Sequence, residues 1–572
     1  MLRRRTGKDE VPPSKTASGT KPEKEQLHAE FVDTKVTQLV IKPRSKRRNG
    51  FIFMLGGIFG IFIALFFANQ QEVISLDSLM DLNLDSWIEA IPQGIVSDVK
   101  EFSQHERDTV SYDSFAVGLQ LRAMGVEAKH PVVMIPGVIS TGLESWGTGK
   151  AEWKNHVMLD RDTGLDPPGI KLRAAQGFDA TDFFITGYWI WNKILENLAT
   201  IGYDPTNAFT AAYDWRLSYL NLEVRDKYFT RLKSYIETAV QVQGEKITLA
   251  SHSMGSQVVL YFFKWVESEE HGNGGKDWVN KHIDSWVNIS GCMLGAVKGL
   301  TAVLSGEMRD TAQLNAFAVM LPKGGEAVWG NSTWAPDDQP GQQLTFGNLL
   351  RFHETNSSLT QHNLTTPESL QYLMDQSEDW YRNQVLNSYS HGVAHTKREV
   401  EANEKDPRTW LNPLESRLPL APDMKIYCFY GVGKPTERSY FYQEEPDPLV
   451  NLKVSMDTTI TNNEGVDHGV LMGEGDGTVN LLSTGYMCAK GWRMKRYNPA
   501  GTKIKVFEMP HEPDRFSPRG GPNTGDHVDI LGRASLNDLL LRVAGGKGDL
   551  IEETFVSKIR EYADRVQIFD EE

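Results

Sequence analysis

The chain has 572 residues, 40% of them hydrophobic and 24% charged, which excludes a disordered or fibrous chain and leaves room for a large core. Residues 1–50 hold 13 Lys/Arg against 6 Asp/Glu, yet the whole chain is at −15, so residues 51–572 carry −22. An acidic body behind a basic tail excludes nucleic acid as the partner of the body, and three cysteines (Cys292, Cys428, Cys488) are too few for a disulfide framework. One bridge plus a free thiol, or no bridge at all, both fit that count.

Residues 1–50 are rich in Lys, Ser, Pro and Glu and are expected to form a disordered, basic tail. Phe51–Ala68, "FIFMLGGIFGIFIALFFA", then runs 18 residues without a charge. As a helix it is roughly 27 Å long, close to the ~30 Å hydrocarbon core. It is apolar on every face, which favours a membrane helix over a buried core helix, and about 50 residues precede it, too many for an ordinary signal peptide. Lys42, Arg44, Lys46, Arg47 and Arg48 precede the span, and residues 69–99 contain no Lys or Arg. The positive-inside rule therefore predicts a cytosolic tail, a single transmembrane signal anchor over 51–68 and a body across the membrane, with 69–128 as its stem. Four N-x-S/T sequons lie in the body. Asn331, Asn356 and Asn363 sit in polar sequence where a glycan could attach, whereas Asn288 sits in an apolar run and is expected to be buried.

Short apolar runs then alternate with helical patterns. "HPVVMIPGV" (His130–Val138), "NAFTAAYDW" (Asn207–Trp215), "KITLA" (Lys246–Ala250), "SWVNIS" (Ser285–Ser290), "MKIYCFYGV" (Met424–Val432) and "TKIKVFEMP" (Thr502–Pro510) read as strands. "VVLYFFKWV" (Val258–Val266) and "VDILGRASLNDLLLRVAG" (Val528–Gly545) read as helices. This order predicts an α/β domain over 129–570, with a mostly parallel sheet and helices on both faces. Two stretches interrupt it, at about 144–191 and 306–422, and are read as lid and cap insertions. The first carries Trp146, Trp153, Trp189 and Trp191, which suit either ordinary packing or lipid contact.

The run "LASHSMGSQVVLYFF" joins a strand to a helix through a serine between small residues. A nucleophile elbow needs small residues two positions before and after the serine, because strand and helix backbones approach closely there. Ser253 has Ser251 and Gly255 at those places, whereas Ser251 and Ser256 each have a large residue two positions before them. Ser253 is therefore the expected nucleophile. The Met254 N–H then starts a helix and faces a developing oxyanion, with the Val138 N–H after "PG" as the second donor. Chain order in α/β-hydrolases is Ser, Asp/Glu, His. "GEGDGTVN" offers Asp476, which would otherwise only cap its own turn. His511 in "MPHEP" and His527 in "GDHVDILG" both follow the last strand; spacing does not separate them. "YDWR", with Asp214 and Arg216, reads as a structural turn.

Taken together, "HPVVMIPGVISTGLESW", "TGLDPPGIKLRAAQGFDATDFF", "YDWR", "SHSMGSQ", "GDGTVN" and "HVDILG" resemble the phospholipid:diacylglycerol acyltransferases, relatives of lecithin:cholesterol acyltransferase and lysosomal phospholipase A2. The resemblance runs from about Lys129 to the C-terminus. It implies an α/β-hydrolase fold and a triad of Ser253, Asp476 and His527, which settles the histidine choice. It also implies acyl transfer from the sn-2 position of a membrane glycerophospholipid to diacylglycerol without acyl-CoA, metal or other cofactor, on the lumenal side of the endoplasmic reticulum membrane. The same triad with water as acceptor would be a phospholipase A, and with a sterol as acceptor a sterol acyltransferase.

Overall fold

Six parallel strands make the central sheet, and each comes from an apolar run. They are β1 (Val132–Ile135), β2 (Ala208–Thr210), β3 (Ile247–His252), β4 (Ile283–Ile289), β5 (Lys425–Val432) and β6 (Lys503–Pro510). Their order across the sheet is β6-β5-β4-β3-β1-β2, every neighbour parallel. β1 and β3 are buried along their whole length, which explains why they are continuous apolar runs rather than alternating ones. The computed structural model describes residues 115–568 except 147–157, 186–187, 307–320, 324–327, 329–347, 353–362, 446–453, 462–464 and 515–517. The chain divides into two units, Met1–Arg107 and Asp108–Glu572. The tail, the apolar run 51–68 and most of the stem lie outside the described residues. Among the described residues, no helix is long and apolar enough to cross a membrane.

Helices cover both faces, and the strands sort their side chains to match. Val133, Ile135 and Leu249 pack with α2 (Tyr228–Gln243) and α3 (Gly255–Glu267), whereas Val132, Met134 and Ala250 pack with α1 (Asn192–Thr200) and α5 (Ala534–Ala544). This is the alternation that a strand buried on both faces requires. α3 is buried from Gly255 to Phe263, so its apolar sequence reflects a helix enclosed by protein. α4 (Leu481–Ala489) is tied to β5 by the Cys428–Cys488 disulfide, and Cys292 remains a free, buried thiol.

Two sequence expectations are corrected. The run Asn207–Trp215 forms a strand only over Ala208–Thr210, because Asp214 folds the next residues into a turn by accepting the Arg216 N–H on its side chain and the Leu217 N–H on its carbonyl. The run Val528–Gly545 is not one helix but a 3-10 turn at Asp529–Gly532 followed by α5, and His527 sits in the loop before both. A further helix, Ile559–Arg565, follows α5.

A second sheet lies outside the central one. Asn348–Phe352 runs parallel to the long strand Lys434–Glu444, which pairs antiparallel with Val470–Gly475. The 306–422 stretch thus supplies two strands, Asn348–Phe352 and the short Leu364–Thr365 that pairs antiparallel with it, and the helices Thr366–Gln376, Asp379–Ser388 and Lys397–Asn403, while their partner strands come from residues 434–475. Asn288 is buried as expected, and Asn363 is exposed; Asn331, Asn356 and Trp153 lie outside the described residues. Trp146 is 64% exposed, and Trp191 is fully buried.

"YDWR" is the centre of a buried ion cluster. Arg216 and Arg225 both donate to Asp214, and both also face Asp166 at 3.2 Å. Burial alone would raise the Asp214 pKa, but the two guanidiniums outweigh it and hold it below the usual carboxylate value. Asp166 belongs to the first insertion, so the cluster staples that insertion to the strand edge.

Candidate active site

The central sheet reverses its order between β1 and β3, and the loops leaving their C-terminal ends diverge there. Such a crevice is where open α/β sheets bind ligands. Three non-glycine residues at this edge adopt positive φ: Ile139 after β1 (+61°), Ser253 after β3 (+55°) and Ser290 after β4 (+45°). Left-handed backbone is costly for such side chains and gathers where the fold forces a turn for a purpose.

Ser253 is held in that turn by its neighbours. Its N–H donates to the Ile289 carbonyl at 3.0 Å. Gly255 is required: a Cβ there would lie 2.5 Å from the carbonyl oxygens of both Ile135 and Pro136. At the other small position Ser251 does more than fit. The Trp286 indole N–H donates to its Oγ at 2.8 Å, and it pairs with Ser256 at 2.9 Å. Ser256 in turn donates to Asn288 Oδ1 at 2.8 Å.

The three residues expected to act together are brought together. His527 Nε2 lies 2.8 Å from Ser253 Oγ, and its Nδ1 lies 2.7 Å from Asp476 Oδ2. A carboxylate only accepts, so Nδ1 carries the proton and Nε2 is free to accept the Ser253 hydroxyl proton. Asp476 is fully buried. Its other oxygen accepts the N–H groups of Thr478 and Val479 at 3.1 and 2.7 Å, which fixes the carboxylate plane. The His527 N–H also donates to the Asp476 carbonyl at 2.9 Å. Burial works against a charged His527, but the Asp476 carboxylate beside it prevails and raises its pKa above the usual histidine value.

His511, the rival by spacing, supports the loop instead. Its Nδ1 accepts the Gly525 N–H at 3.1 Å. The 524–527 loop runs so close to β5 that a Cβ on Gly431 would lie 1.9 Å from the Gly525 carbonyl oxygen. Asp526 pairs with Lys434 and accepts the N–H groups of Val528 and Asp529. Neither Lys434 nor His252 stood out in the sequence. His252, beside Ser253, is 2% exposed, and its Nε2 lies 2.7 Å from the His527 carbonyl. Adjacency to the reactive serine was its only signal.

The Met254 N–H stands at the start of α3, and the Val138 N–H lies in the loop after β1. Among the described residues neither has an acceptor, so both donors are unspent. Cys292 is also buried, and burial pushes its thiol up to about 11. It stays protonated near neutral pH and is no competing nucleophile. Among the described residues, no group of His, Cys, Asp and Glu is arranged to hold a metal ion.

The sequence pattern of the lecithin:cholesterol acyltransferase family matches residues 146–534, a range that contains Ser253, Asp476 and His527. The phospholipid:diacylglycerol acyltransferase of Schizosaccharomyces pombe is 43% identical over 90% of each chain. The protein of the same name from Saccharomyces cerevisiae is 42% identical, over 91% of this chain and 88% of its own. Phospholipid:diacylglycerol acyltransferase 1 of Arabidopsis thaliana is 33% identical, over 79% and 86%. Matches of this length, carried by a chain with this strand order and this serine turn, mean that it belongs to the lecithin:cholesterol acyltransferase family.

Proposed function

We propose that this chain is an α/β-hydrolase-fold acyltransferase that moves the sn-2 acyl group of a glycerophospholipid to diacylglycerol through an acyl-Ser253 intermediate. The unbroken hydrogen-bond chain Ser253–His527–Asp476 carries the proposal, and the identity to the named yeast enzymes supports the choice of substrates. His527 Nε2 takes the Ser253 proton as Oγ attacks the ester carbonyl, and Asp476 steadies the imidazolium. The Met254 and Val138 N–H groups hold the oxyanion. The intermediate collapses, His527 returns its proton to the leaving alkoxide, and lysophospholipid departs. His527 then deprotonates the free hydroxyl of diacylglycerol, which attacks the acyl-enzyme and leaves as triacylglycerol with Ser253 restored. No acyl-CoA enters this cycle.

The run 51–68 would hold the site at the bilayer where both lipids reside, with the body lumenal and the endoplasmic reticulum as the compartment. A disulfide in the body supports an oxidising side. On this reading Asn331, Asn356 and Asn363 face glycosylation, and the insertions around 144–191 and 306–422 exclude water from the acyl-enzyme.

The test uses membranes carrying the full chain or Ser253→Ala, with phospholipid labelled in its sn-2 chain and diacylglycerol but no acyl-CoA. Label in triacylglycerol with the wild type alone is expected. Label in free fatty acid only would make water the acceptor and the chain a phospholipase A; label in sterol ester, when sterol is supplied, would change the acceptor class.

A further inference from the structure

His252 is the last residue of β3 and precedes Ser253. Its Nε2 lies 2.7 Å from the His527 carbonyl oxygen. A carbonyl only accepts, so Nε2 carries the proton and the ring is the Nε2–H tautomer. The two imidazoles also pack on each other, with centroids 5.0 Å apart and planes 41° apart. His252 is thus the only residue among those described here that joins the serine strand directly to the backbone of the residue that accepts the serine proton.

The geometry points to His252 as a positioning residue: as a neutral donor it pins the His527 backbone to the end of β3, fixing the distance between His527 Nε2 and Ser253 Oγ. This rests on the acyl-transfer reading of Ser253 and His527. Neutrality suits the role, because a second positive ring in this space would oppose the imidazolium that forms on His527. Burial, and next the neighbouring His527, push the His252 pKa down to about 3. The other contacts of the 524–527 loop come from β5, β6 and Lys434 to Gly525 and Asp526, and from Asp476, which accepts both the ring and the backbone N–H of His527. Among the described residues only the His252 bond ties the loop to β3, so without it His527 keeps its loop but loses its register against Ser253. A shift of about 1 Å in such a pair costs on the order of 10²-fold in rate.

The test compares the full membrane-bound chain with His252→Leu, which fills the space without a donor, and His252→Gln, whose amide nitrogen reaches the place of Nε2. Two readouts are taken: kcat and KM for triacylglycerol formation, and the pH profile of Ser253 labelling by a fluorophosphonate. His252→Leu should lose about 10²-fold in kcat with KM little changed. Its labelling midpoint should fall toward the ordinary histidine value as His527 slackens from Asp476. His252→Gln should recover most of the rate and keep the wild-type midpoint. If His252→Leu does not fold, His252→Asn, polar but one carbon short, must lose rate in its place. A leucine or asparagine variant within about threefold of wild type, or a glutamine variant as poor as leucine, overturns the inference. Labelling that survives in Ser253→Ala overturns the acyl-transfer reading itself, and this inference with it.

Discussion

The indole N–H of Trp286 donates to the hydroxyl of Ser251 at 2.8 Å, directly beneath the turn that carries Ser253. Ser256 spends its one proton on Asn288, so Ser251 must donate to Ser256. The bonds therefore run in one direction, from Trp286 through Ser251 and Ser256 to Asn288, and all four residues are buried.

Ser251→Gly would restore the glycine usual at this place in such turns, and yet it should destabilise this chain. It strands the Trp286 N–H and frees Ser256 of its donor. An unsatisfied buried donor costs about 1–3 kcal/mol. Chemical or thermal melting of the protein checks this; a glycine variant as stable as wild type would refute it.

Asp476→Asn should lower the rate about 10³- to 10⁴-fold and move its pH dependence. The reaction needs neutral His527, so rate is lost as pH falls through the His527 pKa. That pKa is raised, and among the causes that raise it Asp476 comes first, so in the wild type the loss sets in at higher pH than for an ordinary histidine. The asparagine variant should lose its residual rate only at lower pH. Rate–pH profiles of both proteins decide it.

Asp214→Asn should destabilise the fold by about 3 kcal/mol by removing the fully buried carboxylate that Arg216 and Arg225 share, leaving two buried guanidiniums to the carboxylates of Asp166 and Asp226. The folded-state pKa of Asp214 is depressed, so its contribution is complete above the unfolded aspartate value of about 3.9 and is lost as pH falls through the folded value. Urea melts should show the full gap between wild type and variant at pH 7 and a narrowing gap below about pH 4.

Cys488→Ala should also destabilise. The Cys428–Cys488 bond closes a loop with a sequence separation of 60, which by the chain-entropy account contributes about 4 kcal/mol. Thiol-reactive dye should label Cys292, which is buried, only after unfolding; labelling of the native protein would contradict the packing around it.

The central sheet was legible because its strands are buried on both faces. Val132–Ile135 and Lys425–Val432 read as short, mostly apolar runs bounded by Pro or Gly. The second sheet was not legible. Lys434–Glu444 alternates buried and partly exposed residues, and Val470–Gly475 ends in the glycines that read as a turn. Its parallel partner, Asn348–Phe352, lies far back in the chain. The serine turn was readable from Gly255, whose Cβ has no room. The histidine was not readable from spacing, since what separates His527 from His511 is the course of the 524–527 loop across Gly431, a contact between distant segments. The role of Ser251 was half-read: its size was visible, but its hydrogen bond to Trp286 depends on the register of β3 against β4.

Asp476 follows a strand of the second sheet, whereas Ser253 and His527 leave strands of the central one. The relay therefore needs both sheets complete, and His527 follows Ser253 by 274 residues. At ribosomal speeds of about 5–20 residues per second, a span of that size takes on the order of tens of seconds to make. Throughout that interval the nascent chain presents a serine with neither base nor carboxylate. Lipid-cleaving competence thus arrives only when the C-terminal segment has been synthesised and folded back, so the emerging polypeptide cannot consume phospholipid before that segment is in place.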